Sequence, residues 1–170
     1  MRVLGIDPGT AVLGYGVVEG GSGLRPTLIE CGTLTTQARH PLPDRLRTLY
    51  DGVSALLSRH APEALAVESA FYGRNVRTAV VLSHARGVIL LAGNIAGVDL
   101  AEYSPAQVKK AVVGRGAALK PQVGYMVAQL LRLSSPPSPE DASDAVAVAL
   151  THLMIATRKA FFARQAVSRR

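Results

Sequence analysis

Four carboxylates stand where an acidic side chain needs a reason. Asp7 closes the apolar run Val3-Leu-Gly-Ile6, and Glu68 closes Leu65-Ala-Val67. A carboxylate at the end of a buried strand is costly unless it meets a partner or a proton. Asp141 and Asp144 are three apart in a helical stretch, with Glu140 beside them. That spacing puts both on one helix face with Cβ atoms about 5–6 Å apart. Two like charges there repel mildly, and a divalent cation would reverse the sign and lower both pKa values. The chain has one cysteine, Cys31, and four histidines. A cysteine-based zinc cluster is therefore excluded, and an all-oxygen donor set suits Mg²⁺ or Mn²⁺. Two such ions about 3.5–4 Å apart can hold the attacking water and the leaving oxygen of a phosphodiester in line. Each acid also has a plainer reading. Ser138-Pro139-Glu140-Asp141 reads as a capping box with proline at the first helical position. Asp7 could cap the Pro8-Gly9-Thr10 turn, and Glu68 could pair with Arg74 or Arg77. One shared site accounts for all four together.

Phosphodiester chemistry needs a polyanion, and the charge distribution offers a surface for one. The chain carries 19 Lys+Arg against 12 Asp+Glu, a net charge of +7 and a pI near 10.1. The excess is local: residues 71–125 hold 7 basic and 2 acidic residues, and residues 158–170 hold 5 basic and none acidic. A basic surface of this kind points to nucleic acid, less often to an anionic membrane. Phe71-Tyr72-Gly73-Arg74-Asn75-Val76-Arg77 directly follows Glu68. Two adjacent aromatics in a basic loop are hard to bury together, and stacking one on an unpaired base is worth about 1–3 kcal/mol. Phe71 is the expected stacking ring. Further on, Lys109, Lys110, Arg115 and Lys120 surround the glycines of Gly114-Arg115-Gly116, where backbone can approach a ligand closely. Lys120 precedes Pro121 at a helix start, where the macrodipole disfavours a cation, and a bound anion would relieve that conflict.

The elements that must carry these residues follow from apolar spacing. Val3–Ile6, Leu13–Val18 and Thr27–Thr36 read as three strands with short connections, a meander. A helix opens at Pro43-Asp44 and runs through Leu46, Leu49, Tyr50, Val53, Leu56 and Leu57 at a period near 3.6. Leu65–Val67 is a fourth strand and Val98–Tyr103 a fifth, separated by a loop over Ser69–Asn75 and an apolar helix over Arg77–Ile95. Three helices follow, over Pro105–Val112, Pro121–Leu133 and Pro139–Thr157. The layout is α/β, a mixed five-stranded sheet flanked by helices. One domain over residues 1–158 and a basic, flexible tail over 159–170 are expected. Asp7 and Pro8 end the first apolar run too early for a signal peptide, and no run of 18 apolar residues spans a bilayer. A lone cysteine forms no intramolecular disulfide. A cytoplasmic protein without a membrane segment is expected.

Taken in order, these pieces resemble the RuvC family of Holliday-junction resolvases, within the ribonuclease H-like nuclease superfamily. The resemblance rests on Gly5-Ile-Asp-Pro-Gly-Thr10, Val67-Glu68 with Phe71 three on, Ala85-Arg-Gly-Val88, Gln107-Val-Lys109 with Val113-Gly-Arg-Gly-Ala117, Lys120-Pro-Gln-Val123, and Asp141-Ala-Ser-Asp-Ala-Val-Ala147. It implies a ribonuclease H-like fold and a homodimer that makes metal-dependent nicks in two opposite strands of a four-way DNA junction. It maps metal-binding carboxylates onto Asp7, Glu68, Asp141 and Asp144, important lysines onto Lys109 and Lys120, and a junction-centre aromatic onto Phe71. Relatives can have His where Asp141 stands. A junction-migrating helicase complex, RuvA and RuvB, is implied as a partner. Independently, a junction has two-fold symmetry, and the apolar circumference of the 77–95 helix suits burial against both a sheet and a second copy.

Three other readings compete. Gly5-Ile-Asp-Pro-Gly-Thr10 resembles the phosphate loop of actin-like ATPases and sugar kinases, which need two such lobes where 170 residues supply one. A related nuclease could act on RNA–DNA hybrids or another branched DNA. A non-enzymatic DNA-binding module would leave four repelling carboxylates unexplained.

Overall fold

In the computed structural model, the described residues are 1–21, 23–69 and 76–167, without the side chains of Val76, Arg77, Arg164, Ala166 and Val167. Five strands, β1 (Arg2–Asp7), β2 (Val12–Gly21), β3 (Leu24–Thr35), β4 (Ala64–Glu68) and β5 (Asp99–Tyr103), form one sheet in the order β3-β2-β1-β4-β5. The first three make the antiparallel meander, and β4 and β5 run parallel to β1. Among the described residues there are also five helices: α1 (Leu42–His60), α2 (Val76–Ile95), α3 (Pro105–Val113), α4 (Lys120–Leu131) and α5 (Glu140–Val167).

The period of two along β1 assigns its side chains to two cores. Leu4 and Ile6 face α1 and α2, together with Leu13, Val17, Leu65 and Val67. Val3 faces the other way, with Val18, Ala66 and Tyr103, toward α3, α4 and α5. Leu4 and Ile6 are fully buried, each worth about 1.5–3 kcal/mol. The same alternation turns Asp7 and Glu68 toward α5, since each lies two residues past a position on that face.

Bare backbone seats α5. A Cβ at Gly5 would stand 2.3 Å from the carbonyl oxygen of Ala145, and one at Gly14 would stand 1.9 Å from that of Asp141. The first turns of α5 therefore lie directly on β1 and β2, carrying Asp141 and Asp144 to the end of the sheet where Asp7 sits. The helix packs its next turns, Ala145 to Leu150, as a fully buried stripe.

Element types and order agree with the sequence reading, and the differences lie at the ends. β3 begins at Leu24 rather than Thr27, and β2 reaches Gly21 rather than Val18, because the hairpin pairs down to Gly21↔Leu24. α4 stops at Leu131, where Arg132 turns left-handed at φ 55°. α5 runs to Val167 rather than Thr157, so residues 159–167 of the expected tail are helical. Ala160-Phe-Phe-Ala163 sustains the helix, and cations near a helix C-terminus favour its dipole. The expected Ser138 cap is absent among the described residues. The amides of Ala142 and Ser143 donate instead to the carbonyl of Pro139 at 3.0 and 3.2 Å, so Asp141 is not needed to start the helix.

Two helical stretches, Thr78–Ile95 and Glu140–Ala163, are long and apolar enough to cross a membrane by length and composition alone. α5 buries Ala142 and Ala145 to Leu150 against the sheet but leaves Met154, Phe161 and Phe162 exposed toward its end. α2 is likewise divided: Ala85, Ile89 and Ala92 are buried, whereas Val80, Leu91 and Ile95 are exposed.

Candidate active site

Asp7, Glu68 and Asp144 share one cavity at the carboxyl ends of β1 and β4, whereas Asp141 does not line it and acts on Asp7 only through its charge. The parallel register Ile6↔Val67 sets Asp7 beside Glu68, and Glu68 pairs in turn with Tyr103 of β5. A cavity of about 320 Å³ opens there, lined by Asp7, Glu68, Lys109, Lys120 and Asp144 over a floor of Val108, Val123 and Ala147. Tyr103 secures its edge. The Tyr103 carbonyl accepts from the amide of Ser69 at 2.8 Å, just past Glu68, and its hydroxyl bonds Nδ1 of His152 on α5 at 2.9 Å.

Charge in this cavity is poorly balanced. Burial, then the charges of Asp144 and Asp141, push the Asp7 carboxyl up to about 7, with Lys120 opposing. Burial, then Asp7 and Asp144, push Glu68 up to about 7, against Lys120 and Lys109. No hydrogen bond or ion pair reaches either side chain among the described residues. Lys120 instead donates to Oδ2 of Asp144 at 2.8 Å and lies 3.3 Å from Oε1 of Glu140. These bonds hold its ammonium well above the usual lysine range. The anion expected at this helix start is thus supplied by the protein's own acids. Glu140, to which sequence spacing assigns no role, is part of that arrangement.

The predicted basic set divides. Lys109 and Lys120 line the cavity. Lys110, one residue on, faces away and borders an apolar groove with Ala111, Met154, Ile155 and Arg158. Arg115 is exposed on the link between α3 and α4. Gly114 serves there as the left-handed cap of α3, at φ 83°, with its amide bonded to the carbonyl of Lys110. Phe71, Tyr72, Arg74 and Asn75 lie outside the described residues, as does the side chain of Arg77.

The donor set is all oxygen, which suits a hard divalent cation. Asp7 and Glu68 carry the uncompensated charge that such an ion would offset. As arranged, with Lys120 on Asp144, no three His, Cys, Asp or Glu side chains among the described residues stand close enough to enclose one ion. The fit therefore lies in donor chemistry and electrostatics.

A family model described as crossover junction endodeoxyribonuclease RuvC matches residues 3–152. The crossover junction endodeoxyribonuclease RuvC of Syntrophomonas wolfei is 50% identical over 153 residues, covering 90% of this chain and 88% of that protein. The solved structure of Thermus thermophilus RuvC superimposes with a TM-score of 0.86 at 39% identity, covering 94% of this chain and 97% of that one. The same protein in complex with Holliday junction substrate gives a TM-score of 0.84 at 36% identity, covering 92% and 95%.

Proposed function

Because the chain belongs to the RuvC family of crossover junction endodeoxyribonucleases, with the ribonuclease H-like fold, we propose that it resolves four-way DNA junctions by paired hydrolytic nicks in opposite strands, in recombination and repair. The observation that carries this reading is the single cavity in which Asp7, Glu68 and Asp144 face Lys109 and Lys120. Acids whose charge is not offset, beside two lysines on the same wall, are complementary halves of a site for metal-assisted phosphodiester hydrolysis.

Asp7, Glu68, Asp141 and Asp144 would hold the cation, Mg²⁺ or Mn²⁺, as two ions per site. Bound there, it would acidify water and stabilise the leaving 3′ oxygen, giving 5′-phosphate ends. Lys120 and Lys109 bring ammonium groups to the cavity wall, where they can neutralise charge on the phosphate. Val108, Val123 and Ala147 make the floor apolar, and a low-polarity wall strengthens each of these interactions. Phe71, Tyr72, Arg74, Asn75, Arg77, Lys110 and Arg115 extend the DNA contacts beyond the cavity, with Phe71 stacking at the junction centre.

The working unit is a homodimer. Val80, Leu91 and Ile95 leave an apolar strip of α2 exposed on the side of the sheet opposite α5, and a two-fold contact there would match the symmetry of the junction. Residues 1–158 form the nuclease domain, 159–170 its basic end. The protein acts in the cytoplasm beside the junction-migrating helicase complex of RuvA and RuvB.

The test is cleavage of a synthetic mobile junction beside matched duplex and RNA–DNA hybrid, with and without Mg²⁺. Paired nicks with 5′-phosphate ends, on the junction only and with cation only, are expected. Equal cutting of hybrid or duplex, or cutting without cation, overturns the proposal.

A further inference from the structure

The far end of α5 carries a surface that the junction chemistry does not use. Asp144 and Phe161 are 17 positions apart on one helix, about 25 Å at the ordinary rise. At that end Phe161 and Phe162 are 57% and 54% exposed, and Leu24, across from them on β3, is 73% exposed. With Pro26, Leu153 and Met154 they line an apolar groove of about 480 Å³. The two rings meet edge to face at 5.7 Å, and the guanidinium of Arg158 lies 5.7 Å from the centre of the Phe162 ring. A second apolar groove, of about 390 Å³, adjoins the first through shared Met154 and Arg158 and is bordered by Lys110. The charges lining both grooves are positive. Among the described residues no carboxylate lines either groove, and none pairs with Arg158 or Lys110.

A contiguous exposed apolar surface rimmed by charge marks a contact surface, and its charge decides among occupants. A second copy is disfavoured, because a two-fold contact sets the patch against itself and would oppose Arg158 and Lys159 to their own equivalents. A DNA backbone would meet the cations but would lay phosphate on a carbon-lined floor and lose hydration there without exchange. A bilayer is flat, whereas two adjoining concavities fit inserted side chains. We propose that these grooves dock an acidic peptide segment of a protein partner, with bulky apolar side chains in the grooves and Asp or Glu on Arg158 and Lys110. This proposal uses neither the carboxylates nor the cavity of the nuclease reading; it shares with that reading only Lys110, at the border of the second groove.

The experiment uses the full chain and short fluorescent peptides with Asp or Glu flanking two Phe or Leu residues. Control peptides carry Lys for the acids, or Ser for the apolar residues. Duplex DNA and vesicles of phosphatidylserine and phosphatidylcholine are titrated in parallel. The acidic apolar peptides should bind and both controls should not. Phe162→Ser, Leu24→Ser and Arg158→Glu should each weaken that binding at least about tenfold. Because these side chains are exposed, junction cleavage and melting temperature should stay as in the parent. Leu24 comes from a different element than Phe162, so a fault in the helix end alone cannot explain both losses. Peptide binding that is absent, or unmoved by the three variants, overturns the proposal. So does a tenfold loss confined to duplex or to vesicles, which would assign the surface to nucleic acid or to lipid.

Discussion

Asp7 and Glu30 are both drawn to the margin of the sheet, and their surroundings are opposite. Glu30 lies on β3 beside the end of α1. Its Oε1 accepts from the Tyr15 hydroxyl at 2.8 Å and from the Arg59 guanidinium at 2.6 Å, and its Oε2 lies 2.9 Å from Nε2 of His60. Burial alone would raise its pKa, but Tyr15, Arg59 and His60 more than offset this and hold it below the usual carboxylate range. Asp7 is raised by burial, and its acidic neighbours Asp144 and Asp141 add to the shift instead of opposing it. Glu30 is a closed arrangement that ties β2, β3 and α1 together. Asp7 belongs to an open one, whose missing charge has to come from outside the chain. The contrast separates an acid that holds the fold from acids that wait for a ligand.

The largest effect that could break this contrast is on turnover. Asp7→Asn should cut junction cleavage by about 10³-fold, the loss of several kcal/mol of metal-dependent stabilisation. Junction affinity in a gel-shift assay should hold. Robust cleavage by this variant would put Asp7 with Glu30 among the structural acids.

The next effect is on stability against pH. Asp7 and Glu68 are held near 7 in the folded state, well above the 3.8 and 4.5 of the free groups. Between about pH 4 and 7 the folded protein therefore binds more protons than the unfolded one, and stability falls as pH rises. Glu30 acts in the opposite sense, losing its contribution as pH falls. Urea denaturation of the cation-free protein should show the difference: Asp7→Asn should flatten the decline and gain about 2 kcal/mol at neutral pH. An unchanged slope in the variant would mean the acidic cavity is already compensated. Smallest is Glu30→Gln, which leaves Arg59 and His60 without their charged partner at a partly exposed site. About 1 kcal/mol of stability should be lost with cleavage unchanged. A fall in cleavage with stability intact would end the division of roles.

Much of this was legible because alternation is a local signal. Asp7 and Glu68 each follow a short apolar run, so their position at strand ends was readable, and Asp141 and Asp144 share a face by simple helical arithmetic. What lay beyond reach depends on contacts between distant residues. Lys120 and Asp144 are 24 positions apart, and nothing near either one announces the pair. Lys109 and Lys110 look equivalent in sequence, yet the helix turns one into the cavity and the other away from it. The end of α5 is not legible in sequence, because Arg158 and Lys159 read as the start of a solvated tail while Ala160 to Ala163 keep the helix going. Gly14 lies inside the Leu13–Val18 run and carries no side chain to signal a contact. That it lies beneath the backbone of Asp141 required the third dimension.

That glycine has a consequence for the gene. Every missense change in a glycine codon adds at least a Cβ, and at Gly5 and Gly14 that atom would fall inside the backbone of α5. No small step leads away from these two codons, whereas the exposed Arg115 can drift through several polar residues without touching the packing. Two positions with no reactive group of their own should therefore vary as little as the carboxylates whose spacing they set.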